Sequence, residues 1–159
     1  MFKKSLLPLV LLVLLSAAAV FANSPADVQN EVKNYILENN ETLSFWNLSA
    51  VYSAGVDITA DEGLQIDVAE PNENSQPTDY AKYILTKLMQ GENPSVYASL
   101  LAQKQAGTGS FSSLSNQHTW AMITLDAAGA RYNRPKALAH LKSFQKSDGG
   151  FALGGEDEP

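Results

Sequence analysis

Two stretches of the sequence decide the fold: Leu101-Ala-Gln103-Lys104-Gln-Ala-Gly107-Thr-Gly109-Ser-Phe111 and Ser143-Phe-Gln145-Lys146-Ser-Asp148-Gly149-Gly150-Phe151. Each stretch follows a helical pattern that begins at a proline. The stretch itself runs from glutamine and lysine through glycine to phenylalanine. Glycine past the last turn supplies the left-handed conformation that ends a helix. The glutamine amide can bond to the backbone groups left open there, and the phenylalanine can fill the groove between adjacent hairpins. The sequence therefore predicts devices that end helices and tie one helical hairpin to the next.

A second internal match involves the two tryptophans. The segment Trp46-Asn-Leu-Ser-Ala-Val-Tyr-Ser-Ala54-Gly55 aligns with Trp120-Ala-Met-Ile-Thr-Leu-Asp-Ala-Ala128-Gly129, with tryptophan first and Ala-Gly last. Self-similarity at a fixed spacing is typical of helical repeat proteins. We therefore expect helices of two alternating kinds, one beginning with tryptophan and one ending in glutamine, glycine and phenylalanine.

The hydrophobic periodicity predicts about six helices in an all-α fold. We expect them at 25–39 behind the cap Ser24, 42–54, 79–90 behind the cap Thr78, 95–104, 116–128 and 135–146, the last ending at Gly149-Gly150. The segment 56–77 is rich in Asp, Glu, Asn, Gly and Pro and is predicted to be a surface loop. Only residues 64–68 alternate as a strand does, and that run is short.

These motifs resemble a known superfamily. Gln103 to Phe111 and Gln145 to Phe151 are similar to the Q-x-x-D-G-G-F/W repeats of the prenyltransferase and squalene-oxidase repeat (terpenoid cyclase-like) proteins. The order of a Trp-Ala-Gly helix, Thr78-Asp79-Tyr80 and Asn116 to Trp120 resembles bacterial exported proteins with that repeat. The cobalamin-carrier toroid is a more distant likeness. The resemblance covers 23–155 and implies helical hairpins arranged as part of an α/α toroid.

The family ring needs about twice this number of helices, so the resemblance implies an incomplete ring in this chain. We expect a toroid repeat domain at 23–155, with 156–159 as an acidic tail or a truncation point. An open ring edge would expose apolar helix surface, which predicts self-association through that edge.

The N-terminus has the pattern of a signal peptide. Basic residues Lys3 and Lys4 precede an apolar run from Leu6 to Val20, and small residues lead to Ala22. This pattern predicts a signal peptide at 1–22, cleaved after Ala22, and a secreted or cell-surface protein. The apolar run is at the short end for spanning a membrane, so no stable span is expected after cleavage.

Composition excludes several functions. There is no cysteine, so disulfides, thiolate metal sites and thiol nucleophiles are excluded. Removal of 1–22 takes two of the 11 basic side chains and none of the 17 acidic ones, which leaves a net charge of −8. That charge argues against nucleic acid and anionic membranes as partners.

No residue is assigned a catalytic, cofactor or metal-binding role, and no cofactor is expected. His118 and His140 are the only histidines, and their spacing places them on different helices without a cysteine or a carboxylate pair nearby. The zinc-binding and cyclase members of the superfamily need an Asp-Cys-His set or an Asp-rich run, and neither occurs here. Asp79 and Asp126 are weak candidates because the resemblance places their helices toward the ring interior.

Six aromatic residues at helical spacing admit two interpretations: Phe45, Trp46, Tyr52, Tyr80, Tyr83 and Trp120. Such residues are usually core, and we expect that here; the alternative is a groove for carbohydrate or tetrapyrrole. The resulting hypothesis is a non-catalytic exported module that binds a protein, small molecule or carbohydrate. The alternative is a fragment of a terpenoid cyclase-like or polysaccharide-degrading enzyme whose catalytic residues lie beyond the chain end.

Overall fold

The computed structural model describes residues 24–59 and 64–154. Within these ranges the chain forms six helices and two short strands, which confirms the predicted all-α class. The elements are α1 (Pro25–Asn39), β1 (Thr42–Ser44), α2 (Phe45–Ser53), β2 (Gln65–Asp67), α3 (Pro77–Met89), α4 (Ser95–Gln103), α5 (Ser115–Ala127) and α6 (Arg134–Ser143). The predicted signal peptide at 1–22 and the tail at 156–159 lie outside the described residues. No helix within the described ranges is long and apolar enough to cross a membrane.

The chain divides into two compact units between Glu41 and Thr42. Helix α1 belongs to the first unit and begins as the sequence predicts. The Ser24 hydroxyl accepts a hydrogen bond from the Asp27 N–H at 3.2 Å, and the Asp27 carboxylate accepts one from the Ser24 N–H at 3.0 Å. This reciprocal capping satisfies two backbone donors that a helix start leaves open. No residue of α1 is buried.

The predicted start of the second helix at Thr42 is wrong. Residues Thr42–Ser44 instead form β1, which pairs in parallel with β2 in the segment that was expected to be a loop. The Ser44 hydroxyl then accepts the N–H of Asn47 at 3.3 Å and caps α2 at Phe45. A three-residue strand whose partner lies far along the chain leaves almost no periodic signal.

Two other helix bounds differ from the sequence prediction by two or more positions. Helix α3 begins at Pro77 because Gln76, not Thr78, is the cap residue, and the Asp79 carboxylate accepts the Gln76 N–H at 3.0 Å. Proline suits the first helical position because its fixed φ is helical and it has no N–H to satisfy. Helix α6 ends at Ser143, earlier than the predicted 146.

Helices α2, α3 and α5 end in the same way, each on a glycine of positive φ: Gly55 at 84°, Gly91 at 72° and Gly129 at 63°. After Gly129, the Ala130 N–H donates to the Leu125 carbonyl at 2.9 Å, the long bond of the Schellman motif. The equivalent bond closes α2 at 3.2 Å and α3 at 2.8 Å. The closing Ala-Gly of the two tryptophan segments therefore has the predicted helix-ending role.

Helices α4 and α6 end differently, and here the sequence alignment is corrected. The residue equivalent to Gln145 is Gln105, 40 positions earlier, and not Gln103. The Gln105 amide donates to the Gly109 carbonyl at 3.1 Å, and the Gln145 amide donates to the Gly149 carbonyl at 3.3 Å. Both glycines have positive φ in tight turns beyond the helix, so the prediction that Gly149 closes α6 is wrong.

The core of the second unit forms around α5, which packs on α3, α4 and α6. The core cluster consists of Tyr80, Ile84, Ala98, Leu101, Phe111, Ala121, Met122, Leu125 and Ala137. The prediction that this phenylalanine packs inward is confirmed for Phe111, which is buried in the core. Its counterpart Phe151 is 54% exposed, so the same prediction is wrong for the second stretch.

Candidate functional site: the tryptophan groove

The junction between β1 and α2 places two adjacent aromatic side chains in different surroundings, one buried and one exposed. Ser44 pairs with Asp67 of β2 and also caps α2, so Phe45 and Trp46 occupy the first helical turn. Phe45 is directed into the core and is buried. Trp46 is 58% exposed, an unusual position for the largest apolar side chain in a protein.

A third aromatic side chain comes from α5. The ring centroids of Trp46 and Trp120 are 5.7 Å apart, and those of Phe45 and Trp120 are 6.3 Å apart, both with edge-to-face geometry. Helices α2 and α5 both pack on α3, whose buried Ala81 lines the space between the tryptophans. A methyl group at this position leaves a depression that a larger side chain would fill.

Two adjoining clefts share Phe45, Trp46 and Lys82, and together they form what we call the tryptophan groove. The smaller cleft, of about 220 Å³, lies between the tryptophans and is also lined by Thr78 and Asn116. The larger cleft, of about 450 Å³, is lined along its far wall by Asp67, Glu70, Asn72, Ser75 and Asp79. The groove thus has an aromatic end and a polar wall.

Carboxylates outnumber cations along this wall, since Asp67, Glu70 and Asp79 face a single lysine, Lys82. Asp79 is held by its bond to the Gln76 N–H. Glu70 accepts a hydrogen bond from the Tyr97 hydroxyl, and this bond raises the pKa of Tyr97. The wall is therefore rich in hydrogen-bond acceptors whose positions are fixed by helix capping and by a tyrosine.

The polar wall is anchored to the core. The buried Tyr80 donates its hydroxyl proton to the Asn72 carbonyl at 3.0 Å. Asn72 and Ser75 close a turn, with the Asn72 N–H donating to the Ser75 hydroxyl at 2.9 Å. The loop between β2 and α3 is consequently held in place, as a binding surface requires.

The prediction that the six aromatic residues are core holds for some of them only. Phe45 and Tyr80 are buried, whereas Trp46 and Tyr52 are exposed. Helical spacing gives the direction of a side chain relative to its own helix, but it does not tell whether a neighbouring helix covers that face. Trp46 is the clearest departure, and it is the residue on which the groove depends.

The two histidines lie on different helices, α5 and α6, as predicted. Their ring centroids are nevertheless only 4.9 Å apart. His118 is buried; its Nδ1 accepts the Phe111 N–H at 3.2 Å, and its Nε2 lies 3.0 Å from the Ala137 carbonyl. Because Nδ1 accepts, Nε2 carries the hydrogen and donates it to that carbonyl. Burial lowers the pKa of His118, so the ring is neutral and ties three segments together.

Asp126, one of the two weak candidates, lies away from the groove. Its carboxylate accepts the Tyr132 hydroxyl at 2.9 Å and pairs with Arg134 at 3.2 Å. Burial and this bond raise the pKa of Tyr132 to about 12. Only the other candidate, Asp79, lines the groove. Within residues 24–59 and 64–154, no three His, Asp or Glu side chains are grouped so as to hold a metal ion.

Sequence reasoning missed Asp67, Asn72, Lys82 and Asn116 as groove residues. The polar composition of 69–76 was a signal for an exposed wall, but nothing local connects that wall to Trp46 or Trp120. Comparison with known proteins adds no assignment, since no protein-family model, curated protein or solved structure matches this chain.

Proposed function

We propose that this protein is a non-catalytic, exported binding module whose tryptophan groove holds a neutral carbohydrate. The observation that carries the proposal is Trp46, which is 58% exposed and packed edge to face against Trp120 at the meeting point of two clefts. Holding a large apolar ring in water has a free-energy cost. A ligand with an apolar face would remove that cost by covering the ring.

The polar wall narrows the ligand class. A sugar ring offers C–H groups on one face and hydroxyl donors around its edge, which suits an aromatic platform beside carboxylate and amide acceptors. The excess of carboxylates over Lys82 disfavours acidic sugars by like-charge repulsion. A proline-rich peptide, the other ligand that aromatic grooves favour, brings few hydrogen-bond donors for this acceptor-rich wall.

The groove contains its own optical reporter because the chain has only two tryptophans and both line it. Titration with neutral oligosaccharides should therefore change tryptophan emission with saturation, whereas oligogalacturonides should bind more weakly. The Trp46→Ala variant should lose binding and keep its melting temperature within a few degrees. Tyr52→Ala is the matched control, since it removes an exposed aromatic ring from the same helix outside the groove.

Three results would contradict the proposal. The first is unchanged emission with every neutral oligosaccharide up to millimolar concentration. The second is equal loss of binding in Trp46→Ala and Tyr52→Ala. The third is saturable binding of a proline-rich peptide in place of sugars.

The alternative of a polysaccharide-degrading enzyme draws support from the carboxylates of the larger cleft, because glycosidases use carboxylate pairs. Against it, Asp79 and Glu70 already serve the helix cap and Tyr97. Release of new reducing ends from a bound oligosaccharide, abolished by Asp67→Asn, would favour the enzyme.

Export and repeat architecture are further parts of the proposal. The basic, apolar and small-residue pattern of 1–22 supports export, and mass spectrometry of the secreted product should find Asn23 as its first residue. The shared turn geometry at Gln105 and Gln145 supports a repeat of the prenyltransferase and squalene-oxidase type. A chimera carrying the sequence of 105–111 at 145–151 should then fold with a similar melting temperature.

A further inference from the structure

We infer that copies of this chain associate head to tail, with α1 of one copy docking on a surface between α5 and α6 of the next. The surface, which we call the α5–α6 face, consists of Ile123, Leu141 and Phe151, which line one open cleft of about 540 Å³. Ile123 and Phe151 are at least half exposed. Contiguous exposed apolar surface of this kind marks interaction sites.

The internal repeat indicates what covers such a face. One repeat earlier, the residue equivalent to Phe151 is Phe111, which is buried against the chain that follows it. The centroid of its ring lies 5.8 Å from the ring centroid of His118, on α5, and 5.8 Å from that of Tyr132, just before α6. A helix therefore occupies this place at the earlier position, and the later position has the same turn and the same phenylalanine.

Helix α1 has the complementary surface. Val28, Val32 and Tyr35 fall at spacings of four and three, so they form one stripe, and each is about half exposed or more. A helix of this length, 15 residues, is marginal by itself and gains most of its stability from packing an apolar face. The stripe is thus the apolar face through which α1 can pack on a partner.

Charge specifies which surfaces meet. Helix α1 has three acidic side chains and one lysine, a net charge of −2. Helix α6 has Arg134, Lys136 and Lys142 and no acid, and the pairing of Arg134 with Asp126 of α5 leaves a charge of about +2 there. Copies that have lost residues 1–22 have a net charge of −8 and repel each other in most orientations. Docking the acidic helix beside the basic one is the arrangement that electrostatics favours. The two surfaces differ, so the contact is heterologous and can extend into chains of copies.

The test uses the purified protein in the form that cells make it and measures mass by analytical ultracentrifugation over a range of concentrations. The unaltered protein should form dimers and larger species as concentration rises. Val32→Asp, in the stripe, and Ile123→Asp, in the face, should each be monomeric. Val96→Asp is the matched control, because Val96 is an exposed valine on α4 outside both surfaces, and it should associate as the unaltered protein does.

Mixing the two monomeric variants gives the sharpest result. The Val32→Asp copy keeps its face and the Ile123→Asp copy keeps its stripe, so an equimolar mixture should form a 1:1 dimer and nothing larger. Circular dichroism of each variant shows that it is folded. A mixture that stays monomeric, or an unaltered protein that is monomeric at every concentration, overturns the inference. Equal loss of association in Val96→Asp overturns it too.

Discussion

The imidazole of His118 and the backbone of Phe111 are joined by a hydrogen bond of 3.2 Å inside the core. The same ring bonds on its other side to the Ala137 carbonyl, so one side chain connects the turn after α4 with α5 and α6. A buried polar group is tolerated only when its hydrogen bonds are made. His118 satisfies both nitrogens within the protein and acts as a structural tie.

Replacing this ring should destabilise the fold strongly. His118→Leu keeps the approximate volume but leaves the Phe111 N–H and the Ala137 carbonyl without their partner, so the free energy of unfolding should fall by about 2–4 kcal/mol. Urea denaturation measures the change. His140→Leu is the control, since the His140 contact to the Ser112 carbonyl is long, at 3.4 Å, and only partly buried; its loss should stay below about 1 kcal/mol. Equal losses in the two variants would show that the tie is not specific.

Stability should fall as the pH drops below about 6.5, the ordinary pKa of histidine. Burial lowers the pKa of His118 in the folded state, whereas the unfolded state regains the ordinary value. Above that pH the ring is neutral in both states and contributes no pH dependence. Below it, the unfolded state binds the extra proton and becomes relatively more stable. Melting temperature against pH should therefore decline more steeply for the unaltered protein than for His118→Leu, and parallel curves would contradict the assignment.

The two turn glycines form a matched pair for mutation. Both have positive φ, 97° at Gly109 and 89° at Gly149, so alanine at either position is strained by about 1–2 kcal/mol. At Gly109 a Cβ would also lie 2.4 Å from the carbonyl carbon of Lys136 on α6, whereas nothing lies within 4 Å at Gly149. Thermal melting should show Gly109→Ala losing about 3 kcal/mol or more. Similar losses in both variants would mean that the turn and α6 are not packed so closely.

The corrected glutamine can be tested directly. The Gln105 amide donates to the Asn133 carbonyl at 3.0 Å and its oxygen accepts the Asn133 N–H at 2.8 Å, which fixes the start of α6. Gln105→Ala should therefore lower the free energy of unfolding by about 1–3 kcal/mol. Gln103→Ala, two residues earlier at an exposed position, should change it by about 0.5 kcal/mol or less. If chemical denaturation showed a larger loss for Gln103→Ala than for Gln105→Ala, the alignment of Gln103 with Gln145 would be the correct one.

The sequence determined the helices because helix formation is governed by local chemistry. Ser24, the helix-closing glycines and the spacing of apolar residues set most helix bounds within one or two positions. The spacing of the tryptophan segments revealed two helices that end identically. The signal peptide, the incomplete ring and the exported location stay predictions.

Which side chains are covered could be read from the folded chain alone, because burial depends on neighbours that are distant in the sequence. Phe111 is buried and Phe151 is exposed although both follow the same turn. Trp46 is mostly exposed although Trp120, which aligns with it in the sequence, is half-buried. Pairing of β1 with β2 also joins segments that no local periodicity connects. Gln103 and Gln105 look equivalent in sequence, yet it is Gln105 that lies close enough to bond to the Asn133 backbone. Local chemistry fixed the elements, and the contacts between them created the groove.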